Sequence, residues 1–306
     1  MEFFIVAQKI GFLFLLMAAG FVLGRTPILA GGMVRKLSWY LVNLALPALI
    51  VVSLQIPKSD ELVAAGSLIV AVSLAIYALS AGVAVAVPRL LGCMDGEAGV
   101  FRFIVIFSNV GFMGYPVVEA VFGADGLFYA SLYNLPFHLL VFTLGIFLLQ
   151  EGAGGRSADI RAVANPGVLA VCIGVLLFAF GIALPPAAVT VLDAAGSTTT
   201  PLAMLVVGAL LSRMRPDLIF GNRRLYALSA VRLLVLPLMT WLLLAPFIAD
   251  PMLLGIPVII SAMPAAANTA ILAEEFGGNA DLASQGVFLS TLFCIATIPG
   301  VALFVA

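Results

Sequence analysis

Asn109, Gly111, Gly114 and Pro116 fall within the nine residues 108–116, in the middle of an apolar stretch long enough to span a bilayer. Their chemistry is that of a binding site. Asparagine offers an amide N–H2 to a carboxylate and a carbonyl to freed backbone. Glycine lets a ligand come close to backbone N–H groups, and proline removes a helical donor. An unwound turn at that depth leaves backbone groups without partners, at several kcal/mol each in hydrocarbon, and it persists only where protein, water or ligand supplies the missing bonds. The neighbours Phe112 and Tyr115 belong to the same expected site. For Asn109 the alternative to ligand contact is a cap on the half-helix that follows.

Other polar residues within apolar stretches carry further expectations. Arg232 lies near the centre of its stretch, where a charge costs roughly 2.5–3.5 kcal/mol, so it requires a partner. Glu119, one turn past Pro116, is the acidic candidate for a latch, and direct substrate binding is the other role open to Arg232. His138, the only histidine, follows Asn134 and Pro136. It is either a proton carrier near neutral pH or a core histidine bonded to a carbonyl. Asn43 precedes Pro47, and Thr199 and Thr200 precede Pro201, at expected kinks beside the interruption. Glu274, Glu275 and Asp281 form an interfacial acidic group that, with backbone carbonyls, could also hold Na+. Coupling to H+ or Na+ is open, and no cofactor or metal is expected. Cys93, Cys172 and Cys294 are far apart, with no metal or disulfide spacing.

The elements that must position these residues are membrane helices. Of 306 residues, 63% are hydrophobic and 9% charged, against about 25% charged in soluble domains. A net charge of −1 gives no polybasic surface for nucleic acid. Residues 1–24 form a first span rather than a cleaved leader. Apolar runs between polar breaks predict an all-α polytopic protein with ten spans. They lie near 3–24, 34–54, 61–87, 98–121, 126–149, 166–183, 188–211, 223–245, 251–273 and 281–305. Arg25, Arg35, Lys36, Arg89, Arg102, Arg156, Arg161, Arg213, Arg215, Arg223 and Arg224 fall on one side of such a bundle, and Lys9 and Lys58 on the other. The basic side is then cytoplasmic and both termini are extracytoplasmic, in a plasma (inner) membrane.

An internal repeat organises the chain. Phe122-Gly123-Ala124-Asp125-Gly126 resembles Phe276-Gly277-Gly278-Asn279-Ala280 at an offset of 154, and Pro47 matches Pro201 at the same offset. Residues 1–149 and 166–306 are thus two five-helix repeats joined by a short cytoplasmic connector, 150–165. An odd number of helices makes the second repeat inverted, the architecture of many secondary carriers. The 154 shift carries 108–116 onto 262–270, where Met263, Pro264 and Asn268 interrupt the ninth span. Two broken helices crossing at mid-membrane point their half-helix N-termini at one volume, which suits an anion.

Asn109-Val110-Gly111-Phe112-Met113-Gly114-Tyr115-Pro116, Ser261-Ala262-Met263-Pro264, Ala273-Glu274-Glu275-Phe276-Gly277 and Ser290-Thr291 together resemble the auxin efflux carrier family over essentially the whole chain. The resemblance implies crossover helices at the fourth and ninth positions. It also implies a scaffold and homodimer surface from helices 1, 2, 6 and 7, and a mobile part from the others. The short 150–165 connector places the chain nearer the bacterial permeases than the plant exporters. Span 3 offers only Ser67, Ser73, Tyr77 and Ser80 where plant exporters carry charges, which makes auxin a poor substrate candidate. The function expected is secondary transport of a small organic carboxylate, malonate- or malate-like or a monocarboxylate, by alternating access. An intramembrane enzyme would need a nucleophile with a base, and no HExxH or GxSxG is present. A small-anion channel is the third class.

Overall fold

The computed structural model describes residues 2–29, 32–55, 60–94, 96–150, 166–212 and 220–305. Most of the 150–165 connector, with Lys58, Arg156, Arg161, Arg213 and Arg215, lies outside the described residues. Every described element is a helix or helical turn, apart from one isolated two-residue β-bridge.

Five helices are long and apolar enough to cross a membrane: Met33–Val52, Ser67–Leu90, Pro186–Ser212, Arg223–Leu244 and Ala280–Val305. Leu15–Gly24, Leu135–Gln150 and Pro251–Ser261 are shorter apolar helices. The protein is an integral membrane protein built from helices.

Prolines shape several of them in a common way. The π-type turns Leu41–Ala45, Val110–Gly114 and Val231–Val235 each end two residues before a proline, Pro47, Pro116 and Pro237. Proline offers no N–H to the carbonyl four residues back and clashes with it. The preceding N–H therefore reaches back five: Leu46 to the Leu41 carbonyl, Tyr115 to Val110, Leu236 to Val231. The expected kink at Pro47 is this widened turn. At Pro201 the helix starts afresh instead, with Thr199–Ser212 following Pro186–Gly196.

Helix Glu2–Gly24 lies along Thr199–Ser212, and glycine sets their separation. A Cβ at Gly208 would overlap the Met17 carbonyl, and one at Gly20 would overlap the Leu205 carbonyl. Such backbone contact is how helices associate where lipid is as apolar as leucine.

Candidate functional site

Two helices are broken at their middles. The first runs Ala98–Ile106, unwinds, and resumes through Val110–Gly114 into Tyr115–Tyr133. The second runs Pro251–Ser261, unwinds, and resumes as Asn268–Phe276. The unwound segments satisfy each other. Asn109 N–H donates to the Pro264 carbonyl at 2.9 Å, and Ala266 N–H donates to the Phe107 carbonyl at 3.1 Å. These bonds flank an antiparallel bridge between Ser108 and Ala265. Ala265 N–H, pointing away from the bridge, donates to Ser290 Oγ at 3.1 Å.

The bridge sets Ser108 across from Ala265, with Phe107 opposite Ala266 and Asn109 opposite Pro264. Beyond the breaks, both chains turn at positive-φ glycines, Gly123 (φ 71°) and Gly277 (φ 80°), 154 residues apart.

Arg232, 1% exposed, joins the same two chains from a third. Its Nε donates to the Met263 carbonyl at 3.0 Å and its Nη1 to the Val105 carbonyl at 2.7 Å. Val105 lies in the last turn of Ala98–Ile106 and Met263 two residues past the end of Pro251–Ser261, where orphan acceptors and the negative end of the helix dipole favour a cation. Toward the basic side, Arg224 makes a two-pronged pair with Glu97, at 2.6 and 2.9 Å. Arg224 and Arg232 are eight residues apart, as are Glu97 and Val105. Arg223–Ala230 and its extension thus run beside Ala98–Ile106, tied at two levels roughly 12 Å apart.

A cavity of about 40 Å3 adjoins the bridge, enough for roughly three waters. Asn109, Gly111 and Asn268 line it from the two breaks, Asn134 and His138 from the fifth expected span, and Leu46, Leu49 and Ile50 from the second. Asn109 makes no side-chain cap on the turn that follows, so its amide is left to the cavity. Asn134 Nδ2 donates to Tyr115 Oη at 2.9 Å and lies 3.2 Å from His138 Nε2. Phe107, at the foot of the bridge, packs on Phe103, with ring centroids 4.6 Å apart, and meets the edge of Phe137.

Several expected site residues are placed elsewhere. The carbonyls of Met263 and Pro264 are taken by Arg232 and Asn109, and neither residue lines the cavity. Gly114 is buried near Met263, Tyr115 serves Asn134, and Asn43 donates to its own helix at the Trp39 carbonyl, 2.8 Å away. The side chains of Phe112, Pro116 and Glu119 lie outside the described residues, and so does the expected Arg232–Glu119 latch. Sequence reasoning missed Asn134 as a lining residue, although an asparagine four residues before the only histidine was visible. It also missed Ser290 as the support of the second break. Glu275, at the C-terminal end of Asn268–Phe276, is held above the ordinary glutamate range, chiefly by burial, with Arg35 opposing.

A family model described as a membrane transport protein matches residues 5–302. The chain belongs to this family. The membrane transport protein family is the auxin efflux carrier family that the sequence motifs resemble. An uncharacterized transporter of Methanothermobacter thermautotrophicus is 28% identical over 289 residues, 93% of each chain. The uncharacterized transporter MJ1031 of Methanocaldococcus jannaschii is 26% identical over 209 residues, 67% of each. The uncharacterized transporter YfdV of Escherichia coli K12 is 23% identical over 300 residues, 93% of this chain and 92% of its own. In a membrane transport protein, a small cavity between two broken helices is where cargo is to be sought.

Proposed function

We propose that this protein is a secondary transporter of a small organic carboxylate, held between the two broken helices and carried by alternating access. The observation that supports this most is the reciprocal pairing of the breaks beside a cavity that both of them line. Non-helical backbone at membrane depth is tolerated where it is buried in protein or lines a cavity, and these breaks do both. The donors such a ligand would meet are the side-chain amide of Asn109 and the positive end of the helix Asn268–Phe276, both at the cavity wall.

The architecture is ten spans in two inverted five-helix repeats, 1–149 and 166–306. Two helices interrupted by paired unwound segments, each followed by a positive-φ glycine, Gly123 and Gly277, support it. Both termini are extracytoplasmic in the inner membrane, with the 150–165 connector inside. Helices 1, 2, 6 and 7 form the scaffold and a homodimer surface, and the glycine-mediated packing of the first on the seventh makes a rigid frame. The cavity as it stands is too small for a dicarboxylate. Movement of the crossover bundle away from Leu46, Leu49 and Ile50 opens it. His138 is the residue in the cavity wall able to couple this motion to a proton.

Purified protein in liposomes, offered mono- and dicarboxylates under separate proton and sodium gradients, tests the reading. Uptake of at least one carboxylate is expected, with binding lost in Asn109→Ala while the fold survives. Absence of carboxylate uptake by folded, correctly inserted protein refutes it.

A further inference from the structure

A fourth widened turn, Val141–Gly145, differs from the three that prolines enforce. No proline follows it, since residues 137–150 contain none. Leu46, Tyr115 and Leu236 each reach the carbonyl five residues back, whereas Ile146 N–H bonds the Thr143 carbonyl, three back. The Thr143 hydroxyl donates to the Leu139 carbonyl at 2.7 Å, and a threonine that bonds back to its own helix bends it. Proline makes the other three turns permanent by removing the regular donor. Every regular donor is present at this one.

The two sides of the turn are held differently. Past it, Ile146–Gln150 is gripped by both broken chains. A Cβ at Gly99 would overlap the Leu148 carbonyl, and one at Gly278 would come within 3.1 Å of the Leu149 carbonyl. Before the turn, Leu135–Leu140 is set off from the preceding helix by Asn134 and Pro136, and it carries Phe137 and His138 in the cavity wall. A short piece of wall thus stands between two interruptions, anchored on one side only. Rewinding a π turn to regular helix takes up one residue and rotates what precedes it by up to about 100°. We infer that Leu135–Leu140 is a swivel, driven by rewinding of Val141–Gly145, that takes Phe137 and His138 out of the wall and makes room for cargo. Its role in transport rests on the cavity being the carboxylate site proposed above; the rewinding does not.

Phe147, half-exposed, stands two residues past the end of the turn, where the other three carry proline. Phe147→Pro therefore fixes the widened form, and Phe147→Ala controls for loss of the ring. Full-length protein is read by single-amide hydrogen exchange in lipid nanodiscs and by uptake of mono- and dicarboxylates in liposomes. In wild type the amides of Leu144, Gly145 and Ile146 should exchange at least about fivefold faster than those of Leu46, Tyr115 and Leu236, the loss of one net hydrogen bond. Phe147→Pro should slow them to the level of those three. Locking out the open form should also weaken carboxylate binding and uptake at least about tenfold, in proportion to the competent fraction lost, with exchange elsewhere unchanged. Phe147→Ala should stay within about twofold of wild type, since it keeps the N–H. If the proline variant does not fold, the wild-type exchange comparison decides alone. Exchange at this turn no faster than at the three proline turns, or undiminished uptake by folded Phe147→Pro, overturns the swivel and leaves the carboxylate site standing. If wild type takes up no carboxylate, the transport reading falls, while fast exchange at this turn that Phe147→Pro slows still establishes the rewinding.

Discussion

Ser290→Ala isolates what holds the second break open. Ser290 is fully buried; its Oγ accepts from Ala265 N–H at 3.1 Å and donates to the Gly286 carbonyl at 2.7 Å. The Gly286 carbonyl sits inside the helix Ala280–Val305 and keeps its helical bond when the hydroxyl is lost. Ala265 N–H has no such reserve, because the bridge bonds are made by its neighbour Ala266 and by Asn109. Orphaning a buried N–H costs about 1–3 kcal/mol, so the bridge should open roughly 5–150 times more often. Ser284→Ala is the matched control. Ser284 is equally buried on the same helix, but among the described residues its hydroxyl bonds the Ala280 carbonyl of its own helix, at 2.8 Å, an arrangement that does not stabilise a helix. Hydrogen exchange in detergent micelles reads the Ala265 amide directly, and detergent-titrated unfolding reads the stability. Faster exchange confined to the break, with a stability loss in Ser290→Ala alone, is expected. Equal effects of the two substitutions, or an unchanged Ala265 amide, would refute the reasoning.

Three other outcomes follow from the geometry. Arg232→Gln strands the Val105 and Met263 carbonyls together, so it should cost about 2–6 kcal/mol in unfolding experiments; Arg232→Lys keeps the charge but not the fork, and complete rescue by lysine would contradict the two-carbonyl role. Gly208→Val drives a side chain into the Met17 backbone and should destabilise by about 1–3 kcal/mol or more, whereas Gly82→Ala, with open space around it, should be neutral or stabilising in thermal melts. Glu275 is held above its ordinary range, so the folded protein binds its proton more tightly than the unfolded chain and loses stability as pH rises through that interval. Glu275→Gln should therefore melt higher than wild type above neutrality and match it below the ordinary glutamate range; an unchanged difference across that range would contradict the shift.

Much of the site was legible in residue types. Proline and glycine at membrane depth announce an interruption because the helix is the only cheap backbone there; the second break stands at Pro264, whereas the first is 107–109, at the start of the 108–116 run, with Pro116 in the helix that resumes. The repeated Phe-Gly pair announced two turns that both require a left-handed residue. The pairing of the breaks was not legible, because a bridge between Ser108 and Ala265 is a contact between distant segments that no motif match records. The backbone acceptors of Arg232 were equally hidden, since a search for an acidic side chain overlooks carbonyls; the side chain of Glu119 lies outside the described residues.

By itself, then, the sequence determined the solvent, the secondary structure and the places where helices must stop, because each depends on short-range chemistry: apolar runs, missing N–H donors, positive φ. Tertiary structure decided which freed groups meet. Phe107–Asn109 pairs with Pro264–Ala266, Ser290 and Arg232 meet the remaining groups, and Asn134 arrives from another helix to complete the cavity wall. Those choices depend on contacts between residues from 25 to more than 150 positions apart, where the cost of an unpaired buried group selects the partner and no local pattern records it.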